Sequence, residues 1–176
     1  NVIDADGVPD VMRGEESQIL GQFGPGQSGV AVLPGTHSKW VLVENGRIDR
    51  FATFMTGEAF AALKGHTILG RLMAGDAPDA QAFARGVDHG AKPVEGRGGL
   101  LHRLFSARTL GLFDQVKAEA LSSYLSGLMI GSEIAEALAW LGQAPKRVTV
   151  IGASALSDLY GSALSHRSIA ATPGTP

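Results

Sequence analysis

The chain has 176 residues, no cysteine, and 15 basic against 17 acidic side chains, for a net charge of -2. That length suits about one domain with its own core. The lack of cysteine excludes disulfides and thiolate metal sites and fits a reducing cytoplasm, and the balanced charge without a basic block argues against nucleic-acid and membrane-surface partners. No apolar run is long enough to span a membrane. The first residues do not read as a signal peptide, and both ends read as cut from a longer protein.

Residues 1–9 form a short lead-in with a turn at Asp6-Gly7-Val8-Pro9. Glu15 to Gly21 suits a short helix, with acidic side chains in its first turn. A loop at Gly24–Gly29 leads into a strand over Gly29–Leu33. Strands over Lys39–Glu44 and Arg47–Thr53 flank Asn45-Gly46, the type I′ hairpin signature, so three antiparallel strands form a meander. Two short helices are predicted over Gly57–Lys64 and His66–Met73, and another from Pro78 to about His89. Gly90–Gly99 reads as a glycine-rich polar loop, and within this helical region Leu100–Phe113 returns to apolar periodicity. The longest helix is predicted over Val116–Leu141, capped by Gly142, with Gly127 and Gly131 on one face where they permit close backbone approach. A strand at Lys146–Ile151 turns through Gly152-Ala153-Ser154 into a helix over Ala155–Leu164, and Arg167–Ala170 suits a last strand. Strands, then helices, then a β-turn-α unit imply a mixed α/β or α+β fold.

Four segments could carry chemistry. The turn between Leu33 and Trp40 holds Gly35, Thr36, His37, Ser38 and Lys39, whose N–H groups, hydroxyls and ammonium could hold anionic oxygens. An ordinary polar hairpin turn is the competing reading. Asp10, Arg13, Glu15 and Glu16 crowd a helix start. A carboxylate there could take a proton from a hydroxyl and Arg13 could bind a carboxylate, although helix N-terminal charge complementation alone accounts for Glu15 and Glu16. Thr56-Gly57-Glu58 opens a helix after a strand, an anion site or a plain cap. Gly152-Ala153-Ser154 follows a strand and could admit a nucleotide, as many α/β turns could. No histidine pair has metal-ligand spacing, and apart from His37 the histidines read as surface or packing residues. Phe51, Phe54, Phe60, Phe105 and Phe113 read as core.

Taken in order, Asp10–Glu16, Leu33–Trp40 and Thr53–Glu58 resemble the 2-dehydro-3-deoxygalactonokinase (2-oxo-3-deoxygalactonate kinase) family. Leu104–Arg108 and Tyr124–Gly131 fit the same pattern. The resemblance implies the sugar kinase, hexokinase and actin superfamily: a ribonuclease H-like α/β lobe, part of a two-lobe enzyme with ATP and Mg²⁺ in its cleft. It implies transfer of the ATP γ-phosphate to the 6-hydroxyl of 2-dehydro-3-deoxy-D-galactonate, in cytoplasmic galactose and galactonate catabolism. Glu15, or next Asp10, would be the base. Arg13, Glu16, His37, Thr56 and Glu58 would face substrate, with His37 able to face phosphate instead. Gly35, Thr36, Ser38 and Lys39 would form the second phosphate hairpin, and Gly152, Ala153 and Ser154 the adenosine-side turn. The helix with Gly127 and Gly131 would pack near the lobe connection. The implied partners are the sugar acid and ATP, with a homodimer allowed. Residues 1–176 would be the central and C-terminal portion, because the N-terminal lobe and its first phosphate hairpin are not among them. The alternatives are a non-catalytic substrate-binding lobe or remnant, and a related kinase for another sugar acid.

Overall fold

The computed structural model describes residues 2–3, 7–93 and 98–175, with only the backbone at Val2, Ile3 and Ser154. The chain divides into two compact units, residues 1–57 with 137–176, and residues 58–136. The size-based expectation of about one domain thus resolves into a sheet-bearing unit interrupted by a helical one.

The first unit opens with a small hairpin of β1 (Val2–Ile3) and β2 (Pro9–Asp10), which no sequence pattern announced. Helix α1 (Glu15–Gln22) follows, with Gly14 before it at φ 92°, a left-handed conformation that favours glycine. The main sheet has five strands: β3 (Gly29–Leu33), β4 (Ser38–Glu44), β5 (Arg47–Phe54), β6 (Arg147–Val150) and β7 (Ala170–Pro173). Their order is β5-β4-β3-β6-β7. The meander β3-β4-β5 is antiparallel, while β6 runs parallel to β3 and β7 parallel to β6. Asn45 and Gly46 have φ of 53° and 75°, which the type I′ turn requires at both central positions. The last strand starts three residues later than the sequence suggests. Ser168 turns the chain through a left-handed conformation (φ 58°), and pairing begins only at Ala170 against Arg147.

Strand alternation sorts the sheet faces. Ala31, Leu33, Val41, Val43 and Phe51 point to one side, where they bury with Met12, Ile19 and Phe23 from α1 and its flanks. Helix α7 (Ser154–His166) packs along β6 and β7. Arg50 Nη2 donates to the Leu141 carbonyl at 3.1 Å, and its guanidinium stacks 4.9 Å from the Trp140 ring centre.

The second unit is helical. Helix α2 (Thr56–His66) enters it; α3 (Ala80–Gly90), α4 (Leu100–Leu104), α5 (Ser106–Leu112) and most of α6 (Leu121–Leu141) complete it. The helix predicted over His66–Met73 is only a 3-10 turn at Gly70–Leu72. Thr67 ends α2 instead: its hydroxyl donates to the Leu63 carbonyl and accepts from the Leu69 N–H. The predicted Leu100–Phe113 helix breaks at Phe105, where the Ser106 hydroxyl takes the Arg103 carbonyl at 2.6 Å. That break leaves Phe105 and Phe113 exposed rather than in the core. Residues 118–120 form a separate 3-10 turn, so α6 begins five residues after the predicted start. Asp79 caps α3 by accepting from the Ala82 N–H at 2.7 Å. Residues 94–97 of the predicted Gly90–Gly99 loop lie outside the described residues, and Gly90 itself belongs to α3. The α6 glycines do permit close approach: Gly127 and Gly131 lie against the α3 backbone at Phe83 and Val87. Among the described residues, no helix is long and apolar enough to cross a membrane.

Candidate functional site

Three turns of the first unit share one edge of the sheet. β5 runs antiparallel to β4 and therefore in the direction of β3, and β6 is parallel to β3. The chain leaves β3 into Pro34–His37, β5 into Thr56-Gly57 and β6 into Gly152-Ala153, all at the carboxyl ends of like-directed strands. Open α/β sheets bind ligands at that edge. The turns touch. A Cβ on Gly57 would overlap the Gly35 carbonyl and Thr36 Cα, so only glycine lets the β3–β4 turn sit on the start of α2. A Cβ on Gly152 would lie 3.6 Å from Pro34. Ser157 Oγ is buried beside Gly152 with no hydrogen-bond partner among the described residues, a residue that sequence reasoning missed and that no motif flags.

Lys39 is the buried lysine of this edge. It pairs with Leu33 and Thr53 in the ladders and so points to the face that α1 covers. The residue is only 6% exposed, and a lysine at that depth needs a counter-charge. Glu15 supplies it, with Oε1 3.7 Å from Nζ. The other Glu15 oxygen accepts the Arg13 N–H at 2.7 Å, and Glu16 Oε2 accepts the Gly14 N–H at 2.6 Å. Both carboxylates thus satisfy orphan donors at the start of α1, where the helix dipole also favours negative charge.

Asp10 is engaged differently. Its Oδ2 accepts the Thr53 N–H at 2.8 Å, and Oδ1 accepts the Thr53 hydroxyl at 2.7 Å and the Val11 N–H at 2.7 Å. Asp10 therefore ties β2 to β5 directly beside Lys39. Asp10→Ala is expected to lower stability by about 2 kcal/mol, the scale of bonds to a charged group. It should shift the denaturant midpoint without changing the m-value. Thr53→Val should cost little more in that background, and fully additive losses would show that the bonds do not act as a pair.

The remaining predicted residues are placed as follows. Ser38 is fully buried, with its hydroxyl 3.4 Å from the Phe54 carbonyl, and Thr56 is buried at the head of α2. Thr36 and His37 are exposed at the turn tip, and Arg13 is exposed beside Gly14. Glu58 is exposed and begins the second unit. Ala153 precedes α7, and Ser154 opens it. The structure thus gathers Glu15, Lys39, Asp10, Gly35, Thr36 and Gly152 at one edge. Among the described residues, no group of three or more His, Asp or Glu side chains is arranged to hold a metal ion.

The family model described as 2-keto-3-deoxy-galactonokinase matches residues 2–174. The probable 2-dehydro-3-deoxygalactonokinase of Rhizobium meliloti (strain 1021) is 41% identical over 163 residues, covering 89% of this chain and 51% of the relative. The 2-dehydro-3-deoxygalactonokinase of Escherichia coli (strain K12) is 32% identical over 151 residues, covering 86% and 50%. A crystal structure from Sinorhizobium meliloti assigned to 2-dehydro-3-deoxygalactonokinase superposes with a TM-score of 0.84 at 37% identity, over 95% of this chain and 56% of the other. The chain spans about half the length of the curated relatives it matches. With nearly its whole length matched, the chain belongs to the 2-keto-3-deoxy-galactonokinase family.

Proposed function

We propose that this chain is the part of a cytoplasmic sugar-acid kinase that carries the catalytic base and the second phosphate hairpin. The enzyme would phosphorylate the 6-hydroxyl of 2-dehydro-3-deoxy-D-galactonate with ATP. The observation that carries this reading is the Glu15–Lys39 pair, which joins the acidic helix start to the polar turn at the carboxyl edge of the sheet. The strand order β5-β4-β3-β6-β7, antiparallel on one side and parallel on the other, supports a ribonuclease H-like lobe.

In this proposal Glu15 accepts the proton of the sugar hydroxyl. The resulting oxygen attacks the γ-phosphorus as the bond to the bridging oxygen breaks, and ADP leaves. Phosphoryl transfer of this kind depends mostly on positioning and charge stabilisation. Lys39, the N–H groups of Gly35 and Thr36, and the Thr36 hydroxyl would meet the phosphate oxygens. The unpartnered Ser157 hydroxyl and the Gly152 backbone fit a polar nucleotide group beside them. Arg13 and His37 would meet the sugar acid from the exposed rim. Mg²⁺ would travel with the ATP phosphates. The first phosphate hairpin would come from outside residues 1–176.

A coupled assay of ADP release by the full-length protein tests the reading. Turnover should depend on both ATP and the keto-deoxy sugar acid. Absence of turnover with that acid, in a folded full-length protein, would sink it. Calorimetric binding of the sugar acid by this chain without turnover would favour the isolated-lobe alternative for this segment.

A further inference from the structure

The helical unit contains a polar cluster that the kinase reading does not use. A cleft of about 490 Å³ opens between α3, α5 and α6 and is lined by Arg85, Asp88, His89, Lys92, Ser106 and Tyr124. Three of these side chains form a hydrogen-bonded group. His89 Nδ1 lies 2.6 Å from the Tyr124 hydroxyl, which lies 2.7 Å from Ser106 Oγ. The Ser106 hydroxyl is 2.6 Å from the Arg103 carbonyl.

The proton order in this chain follows from counting donors. A carbonyl cannot donate, so the single Ser106 proton goes to Arg103. Tyr124 must then donate to Ser106, which uses its only proton. His89 Nδ1 must therefore carry hydrogen and donate to Tyr124. The relay fixes one tautomer, with hydrogen on Nδ1 and none on Nε2. A neutral Nε2 is an acceptor; a protonated one is a charged donor.

The surroundings favour an anion. Lys92 is exposed at the cleft. Arg85 spends Nη1 and Nη2 on the Gln115 carbonyl and side chain but keeps its charge at the rim. Arg103 is buried and donates to the Gly90 and Pro93 carbonyls, adding positive potential behind the relay. Asp88 is the one carboxylate on the lining. Burial, then the cations Lys92, Arg103, Arg85 and His102, hold the His89 imidazole below its usual range, and burial raises the Tyr124 phenol.

We propose that this cleft binds the oxyanion group of a small metabolite, a phosphate or a carboxylate, between Lys92, Arg85 and His89 Nε2, with His89 taking up a proton as the anion enters. The sign of the pH dependence follows. An anion favours the protonated imidazole, so affinity strengthens as pH falls below the usual histidine range near ~6.5 and weakens above it.

Amide chemical shifts of this chain titrated with inorganic phosphate and, separately, gluconate test the proposal. Saturable shifts should centre on Arg85, His89 and Ser106, and the probe giving the tighter curve identifies phosphate or carboxylate as the recognised group. Affinity for gluconate, whose carboxylate stays ionised across the range whereas phosphate itself changes charge, should be roughly 5-fold higher at about pH 5.5 than at about pH 7.5, and the pH dependence is read with that probe. Lys92→Ala, an exposed change that leaves the fold intact, should weaken binding several-fold, and His89→Gln should flatten the pH dependence. Lys39→Ala should leave these shifts alone, which keeps this test separate from that of the kinase site. No saturable shift at α3 and α5 with either probe would overturn the proposal. So would binding that Lys92→Ala leaves unchanged, or a pH dependence that survives in folded His89→Gln.

Discussion

Glu15→Gln in the full-length protein is expected to lower kcat by about 10²–10⁴-fold, the usual contribution of a positioned general base. KM for the sugar acid should move far less, because the amide keeps the shape of the side chain. The expectation rests on which carboxylate is held where the reacting atoms would sit. Glu15 Oε2 is anchored on the Arg13 N–H, so the group is oriented, while Oε1 faces Lys39 at 3.7 Å. Asp10 has both oxygens engaged by Thr53 and Val11. Asp10→Asn should therefore cost stability while keeping much more turnover than Glu15→Gln. The Gln variant also leaves Lys39 without its counter-charge. Lys39 is buried, so a loss of stability is expected beside the loss of turnover. Steady-state kinetics on both variants, with melting curves alongside, separate the two effects. Near-normal kcat in Glu15→Gln would move the base elsewhere.

Local signals were legible in the sequence where one residue type has one conformational use. Asn45-Gly46 needed positive φ at both positions and has it. The apolar run Gly29–Leu33 bounded by loops is β3 to the residue. Failures came where tertiary context decides. Four residues of hairpin at β1 and β2 carry no periodicity to detect. The Thr67 hydroxyl, not a propensity, stopped α2 and cut the next predicted helix to a single 3-10 turn. The site was half legible for the same reason. The motifs reveal which residue types gather at turns, but Lys39 meets Glu15 only because strand alternation points Lys39 to the face that α1 covers. Asp10 reads as a spare base until Thr53, 43 positions away, occupies it. Ser157 and the His89–Tyr124–Ser106 relay have no local signature; they exist only once α7, and α3 with α5 and α6, are packed.

The second large effect is structural and has the opposite sign from intrinsic preference. Alanine favours a helix interior over glycine by about 1 kcal/mol. Gly21→Ala in α1 and Gly65→Ala in α2 should show that gain, because a Cβ at either position meets nothing within 4 Å. Gly127→Ala and Gly131→Ala should instead destabilise by about 2 kcal/mol or more, since overpacking of 1–3 kcal/mol or above overrides propensity. A Cβ on Gly127 would overlap the Phe83 carbonyl, and one on Gly131 the Val87 carbonyl. Gly86 and Gly90 on α3 answer in kind: their Cβ atoms would overlap the Tyr124 and Leu128 carbonyls of α6. All four obstacles are backbone, which cannot swing aside as a flexible side chain would, so the helices themselves must separate. Denaturant midpoints followed by far-ultraviolet circular dichroism would check the two signs in one series. A stabilised Gly127→Ala would mean that α3 and α6 do not pack backbone to backbone. Because His89 rides on α3 and Tyr124 on α6, the same separation would also lengthen the 2.6 Å bond between them. Anion affinity at the cleft should then fall together with stability in Gly127→Ala, whereas Gly65→Ala should leave it unchanged.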